Sequence, residues 1–567
     1  MAADGRREKL TIKLVYCLNP LAIFEVHVKT RIMRNILSFL VLSLMGSTLR
    51  GQADYKPDPL VDVIHYEFNI NLNDSTNTIA GLTTVELNFS GPVATFSLDL
   101  KNINQAGKGM KISHVSFNGS DVTWSHSDNK LRITPSAPET KGSHGELEIT
   151  YSGAPADGLI ISKNKFGDRT FFADHWPDRA SCYLPVVDHP SDKATVDFNI
   201  TAPSHYEVVA SGHLTEESDL PGGQKITRWK EDIPVPVKVM TFAAASFAVQ
   251  LAGTVNGIPV WTWVFPENRT EGFYDYSVAV KPLSFYCNLI GPYSYEKLAN
   301  VQSKTIFRGL ENAGAIFYSE NSVTGQGRDE DLIAHEIAHQ WFGNSVSEKE
   351  WHHIWLSEGF ATYLAAVYRE MNYGKENLAG IMKSARDRVI RNFERNPGAV
   401  IDTTITNLMS LLSTNSYQKG AWVLHMLRYE VGEEKFWEGM RLYYNRYRNG
   451  NAVTDDFRKC MEEVSGTDLK EFFHQWLYVA GQPDLKISQE ADGKSGKTVI
   501  TIEQTQNYIF SFNLDVGVKD SKGSRIISVP VKERVTKISI KAEPGFELTP
   551  DPEVKLLFRN MQSGAHL

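Results

Sequence analysis

The spacing of apolar residues changes period twice along this chain, and that limits the architecture before any single residue is considered. Every second position is apolar through Tyr66, Phe68, Ile70 and Leu72, through Val85, Leu87 and Phe89, and through Val196, Phe198 and Ile200. Successive side chains of a strand point to opposite faces, so each run reads as a half-buried strand. Asn73-Asp74-Ser75 and Pro221-Gly222-Gly223 supply turns. Residues 54 to 249 are therefore expected to form an antiparallel β domain. From 250 to 480 the period becomes helical, most clearly from Asp329 to Gly343 and from Lys419 to Arg448. Residues 481 to 567 alternate again through Phe510, Phe512, Leu514, Val516 and Val518, then Ile538 and Ile540, which predicts a small β-sandwich. The fold class is α+β, built of several domains.

Composition excludes some functions. The 567 residues are 42% hydrophobic and 22% charged with a net charge of -8, and the Lys and Arg residues form no runs, so nucleic acid is not an expected partner. Ile36 to Met45 is apolar, follows Met33 and Arg34, and precedes Gly51-Gln52-Ala53. The run is short of the ~20 residues that span a bilayer and has signal-peptide architecture. Residues 1 to 53 are therefore read as a leader region with translation starting at Met33. No stable membrane span is expected in the mature protein, which would be periplasmic or secreted. Cys17, Cys182, Cys287 and Cys460 lie far apart, which excludes a cysteine-rich metal module.

Chemistry concentrates in His335-Glu336-Ile337-Ala338-His339, within the helical run opened by Asp329, Glu330 and Asp331. Histidines four apart share one helical face and can bind one Zn²⁺, with Glu336 beside the metal as a general base. Glu358 follows His339 after eighteen intervening residues, in Trp355-Leu356-Ser357-Glu358-Gly359-Phe360, where a returning helix can bring it to the same ion. Two neutral histidines and one carboxylate leave a position open for water, as catalytic zinc requires. His352 and His353 lack a facing partner at helical spacing and read as structural or surface groups.

The run HEIAHQWFGNSV followed by WLSEGFATY resembles the catalytic signature of the aminopeptidase N family of zinc metallopeptidases, to which the leukotriene hydrolases also belong. Leu310-Glu311-Asn312-Ala313-Gly314-Ala315 resembles that family's exopeptidase motif, and Ser416-Tyr417-Gln418-Lys419-Gly420 its catalytic-tyrosine segment. Trp176-Pro177, Pro185 to Pro190 and Lys193 resemble a loop of its first β domain. The resemblance runs from about Tyr55 to Pro483. It implies a saddle-like β domain, a thermolysin-like catalytic domain and one zinc per chain. Beyond Pro483 the strand pattern predicts none of the large helical C-terminal domain of longer relatives.

The implied activity is hydrolysis of the first peptide bond of peptides with free amino ends. His335, His339 and Glu358 would hold the metal, Glu336 would move protons, and Tyr417 would donate to the oxyanion. Glu311 would read the substrate ammonium, with Gly309 and Asn312 beside it in the substrate-binding motif. Asp174, three positions before Pro177, is a second candidate reader, or else begins an Asx turn. The sequence departs from the family at Arg308, where glycine is usual, and at Leu310, where methionine is usual. Rival readings are a zinc endopeptidase, an epoxide-opening relative and a metal-free binding homologue. Glu311 argues against the first, nothing supports the second, and Glu336 with Tyr417 argues against the third.

Overall fold

A computed structural model describes residue 53 and residues 55–492, 497–542 and 545–561. The leader reading and Cys17 lie outside these residues. Among the described residues no helix is long and apolar enough to cross a membrane.

The alternating runs fold into an eight-stranded sheet. Its order is His213–Leu220, Gln224–Pro236, Lys193–Pro203, Val61–Asn71, Ile79–Phe89, His144–Ala154, Gly109–Phe117 and Ser120–Asp121. Tyr66, Phe68 and Ile70 are buried while their neighbours in Val61–Asn71 face outward, as the alternation requires. Ring contacts join Tyr66 to Phe68 and Phe68 to Phe198 across the inner face. The sheet departs from the antiparallel expectation at one place: Val61–Asn71 pairs in parallel with Lys193–Pro203. A hairpin imposes antiparallel pairing, but strands joined by a connection this long are free to lie parallel. A second sheet, Glu207–Ala210, Phe242–Ala245, Arg169–Ala173 and Leu159–Lys163, and a third, Phe96–Asp99, Lys130–Thr134 and Thr123–Ser127, belong to the same β-rich region.

The helical region opens with strands. Ala248–Val255, Ile258–Val264, Leu298–Ser303, Ala315–Ser319 and Gly309–Leu310 form a mixed five-stranded sheet in that order, with Gly309–Leu310 at its edge. The strands Leu298–Ser303 and Ala315–Ser319 are almost wholly buried, so neither alternates: the second is apolar from Ala315 to Tyr318, and the first carries the buried polar residues Asn300, Gln302 and Ser303. Two helices, Arg269–Tyr276 and Val280–Leu289, lie between these strands in sequence, and further helices follow them: Glu330–His339, Trp355–Tyr373, Lys375–Phe393, Gly420–Val431, Glu433–Tyr447 and Thr454–Ser465. The run from Lys419 to Arg448 is two helices broken at Gly432, whose φ of 85° lies in the left-handed region that only glycine enters cheaply. Trp341, Trp355 and Trp422 fill the space between these helices.

The closing segment forms a four-stranded sheet (Val535–Ile540, Lys497–Gln504, Asp484–Asp492, Arg559–Asn560) and a three-stranded one (Gly523–Val531, Phe512–Asp520, Glu547–Pro550). Leu514, Val516, Ile500 and Ile502 are buried. Cys182, Cys287 and Cys460 are free thiols.

Candidate functional site

The helix Glu330–His339 places His335 and His339 one turn apart, and the helix Trp355–Tyr373 returns against it with Glu358 in its first turn. The two imidazole Nε2 atoms are 3.1 Å apart, and Glu358 Oε2 lies 3.5 Å from that of His335 and 3.3 Å from that of His339. A tetrahedral ion with bonds of ~2.0 to 2.1 Å holds its ligand atoms ~3.3 to 3.4 Å from one another, so these three atoms form one face of such a polyhedron. Glu358 Oε2 is buried and has no hydrogen-bond partner, an orphaned acceptor that a cation satisfies. The donor set fits zinc.

The ligands are held from behind. Ser357 Oγ lies 3.0 Å from His339 Nδ1, and Phe342 O lies 3.2 Å from the same nitrogen, so His339 is oriented with Nε2 toward Glu358. Gly343 makes room for this contact: at φ 125°, a Cβ there would lie 2.3 Å from Ser357 Oγ and 3.0 Å from His339 Nδ1.

Glu336 lies on the same helix between the histidines and beneath the edge strand. A Cβ on Gly309 would sit 2.2 Å from Glu336 Oε1, so the strand backbone lies directly against this carboxylate. Burial pushes the Glu336 carboxyl well above the usual range, with His339 opposing and Glu311 and Glu358 adding to the rise. Gly309→Ala is expected to force the carboxylate aside and destabilise the fold by ~1 to 3 kcal/mol, read as a lower urea midpoint. An unchanged midpoint would show that the strand and Glu336 separate freely.

Tyr417 reaches the cluster through a single π-helical turn, Asn415–Lys419, at the start of the helix Gly420–Val431. Its ring lies 6.1 Å from that of His335 with the planes 11° apart. The extra residue in such a turn re-aims a side chain, and π turns gather at functional sites for that reason. Burial, then the negative charges of Glu358, Glu311 and Glu336, hold the phenol protonated, ready to donate.

Glu311 follows the edge strand on a clamped loop. Its carbonyl accepts from Gln340 Nε2 at 2.8 Å and Asn344 Nδ2 at 2.6 Å, while Gly314 N donates to Gln340 Oε1. Ala313 N donates to Val239 O, and Lys297 Nζ bridges Gly314 O and Ala210 O. The Glu311 carbonyl is engaged, yet the side chain is not: the residue is 5% exposed, and Oε1 has no partner. Its charge acts on His335, His339, Glu336 and Tyr417 alike, which puts it within electrostatic reach of the whole cluster. Both side-chain polar atoms of Asn312 are likewise buried without partners.

Asp174 requires a correction. It is wholly buried and closed to a ligand, because one carboxylate oxygen pairs with Arg179 and the other accepts from Thr305 Oγ1 at 2.9 Å and Ile306 N at 3.1 Å. Nor does it form an Asx turn. It fastens the β-rich region to the segment that leads into the edge strand. His352 and His353 are structural: His352 Nε2 lies 3.0 Å from Ile405 O, and His353 Nδ1 lies 2.8 Å from Thr454 Oγ1.

Gln340, Asn344, Ser357 and Lys297 escaped the reading of the sequence. Gln340 directly follows the HExxH run and Asn344 comes shortly after it, and the need of the Glu311 loop for buried polar partners is the signal that would single them out. Lys297 carries no local signal at all.

Residues 274–476 match the peptidase family M1 domain, and residues 63–237 match the peptidase M1 N-terminal domain. Glutamyl aminopeptidase of Homo sapiens is 24% identical over 461 residues, covering 76% of this chain and 48% of the relative. Probable aminopeptidase 2 of Sulfurisphaera tokodaii is 25% identical over 421 residues, covering 71% and 52%. The chain thus spans about half the length of the curated relatives it matches. The crystal structure of an M1 zinc metallopeptidase from Deinococcus radiodurans superposes with a TM-score of 0.65 at 24% identity, covering 75% of this chain and 94% of that one, a likeness of fold.

Proposed function

Because this chain belongs to peptidase family M1, we propose that it is a zinc-dependent aminopeptidase that removes the first residue from peptides with free amino ends. One observation carries the exopeptidase part. Glu311 presents a buried carboxylate oxygen without a partner beside the metal-binding cluster, and a buried negative charge of this kind calls for a cation. The substrate ammonium is that cation.

His335, His339 and Glu358 would hold the ion, which when bound supplies Lewis acidity, polarising the scissile carbonyl and making water acidic enough to ionise near neutral pH. The chain's own groups do the rest. Glu336, with its raised proton affinity, accepts the proton of the attacking water and returns it to the leaving amine. Tyr417 keeps its proton and donates a hydrogen bond to the oxygen that gains charge as the carbonyl is attacked. Glu311 fixes the ammonium at one distance from the ligands, so only the first peptide bond reaches them. Peptides are the proposed partners.

The deciding experiment compares a peptide with its amino-acetylated twin on the zinc-loaded protein. Cleavage of the free peptide at its first bond, with at least ~10²-fold less of the twin, is expected from loss of a buried charge pair. Equal cleavage, or cuts inside the acetylated peptide, would turn the assignment to an endopeptidase.

A further inference from the structure

We propose that Arg308 is a specificity residue that reads a carboxylate just beyond the scissile bond; this inference rests on the aminopeptidase reading above. Two positions, one on the edge strand and one just after it, fix the direction of a bound peptide. Glu311 takes the ammonium, and Gly309 lies against Glu336, where the first bond is cut. A peptide laid along the strand Gly309–Leu310 with its amino end at Glu311 therefore runs opposite to the strand. With the first bond over Gly309 and Glu336, its second residue lies next along the strand, beside Arg308.

Arg308 is built to be felt there. Its side chain is 73% exposed, and one guanidinium nitrogen pairs with Asp329, whose side chain is only 14% exposed. That pair does not cancel the arginine. Asp329 is the residue that opens the helix Glu330–His339, so its charge is also balanced by the positive helix end, and with its side chain 73% exposed the arginine keeps guanidinium donors for a ligand. The segment is held in place from below. Asp174 binds Thr305 and Ile306, Phe307 N donates to Thr305 Oγ1, and the Phe307 ring packs edge-on against Trp176. Backbone pairing of Ser319 N to Arg308 O completes the anchoring. An anchored strand with an exposed cationic tip can select a fork-shaped anion without disturbing the metal ligands.

Two sources offer such a carboxylate: an Asp or Glu side chain at the second position, and the free C-terminus of a dipeptide. The test measures kcat/KM for peptides with Glu, Gln or Lys second, and for a dipeptide beside its C-terminal amide. Binding of the same peptides to the zinc-loaded Glu336→Gln variant is followed by calorimetry. Wild type should favour Glu over Gln, or the free carboxylate over the amide, by roughly three- to tenfold, the range of a partly exposed ion pair. Which arm responds identifies the source. The preference should vanish in Arg308→Ala, reverse toward Lys in Arg308→Glu, persist in Arg308→Lys and shrink in 0.5 M salt, with ~0.5 M chosen to screen beyond a few ångströms. Ratios within one variant cancel any loss common to all substrates. A wild-type ratio of one in every arm, or a preference that Arg308→Ala and Arg308→Glu leave intact, overturns the inference. A neutral amino-acid anilide separates the two levels: if it is cut while the ratios are one, only the role of Arg308 fails, and if it is not cut, the aminopeptidase reading itself fails.

Discussion

Replacing Glu336 with glutamine is expected to leave one zinc per chain and to lower turnover by ~10² to 10⁴, the range that a positioned proton carrier contributes. The ligand atoms belong to His335, His339 and Glu358, which the substitution does not touch. Glutamine also keeps the volume that packs under Gly309, so the edge strand stays where it is. What disappears is the basic oxygen. Because burial already opposes the charge on Glu336, the neutral replacement should not weaken folding, and the urea midpoint is expected to hold or rise. Metal analysis, turnover and unfolding on the same preparation check all three points. Loss of zinc in proportion to activity would make Glu336 a ligand and refute the assignment.

Glu311→Ala is expected to lower kcat/KM for free peptides by roughly 30- to 5,000-fold, the ~2 to 5 kcal/mol that attends removal of one partner of a buried charge pair. The loop should survive the change. Its carbonyl at 311 is clamped by Gln340 and Asn344, and Gly314 by Gln340 and Lys297, none of which uses the Glu311 side chain. Deleting a buried oxygen that lacks a partner should leave stability equal or higher. The selectivity between a peptide and its acetylated twin should collapse along with the rate, since one interaction provides both recognition and register. A variant that loses stability while keeping that selectivity would make Glu311 a structural group.

These expectations rest unevenly on sequence and structure. His335 and His339 were legible because a helix brings positions four apart to one face, a property of backbone geometry within a single turn. The β, helical and β regions were legible for the same reason, since period two and period 3.6 are local. The exceptions are instructive. Leu298–Ser303 and Ala315–Ser319 are buried on both faces and so lose the alternation that marks a strand, and Gly432 interrupts a helical run whose apolar spacing continues across the break.

Local pattern could nominate Glu358, Tyr417, Glu311 and Asp174, but it could not say whether they meet. Glu358 meets the histidines because the helix Trp355–Tyr373 packs back on Glu330–His339, and Tyr417 because one π turn redirects it. Asp174 was equally eligible by composition and is instead consumed by Arg179, Thr305 and Ile306. The chain by itself determined the metal-binding pair, the order of its β and helical parts and the chemistry they could host. Tertiary structure alone decided which distant carboxylate completes the metal site, which is left without a partner for a substrate and which is spent on holding two regions together. The physical reason is that the first set follows from dihedral periodicity over a few residues, whereas the second depends on packing between segments far apart in sequence, where one more donor nearby changes a carboxylate from a reader into a strut.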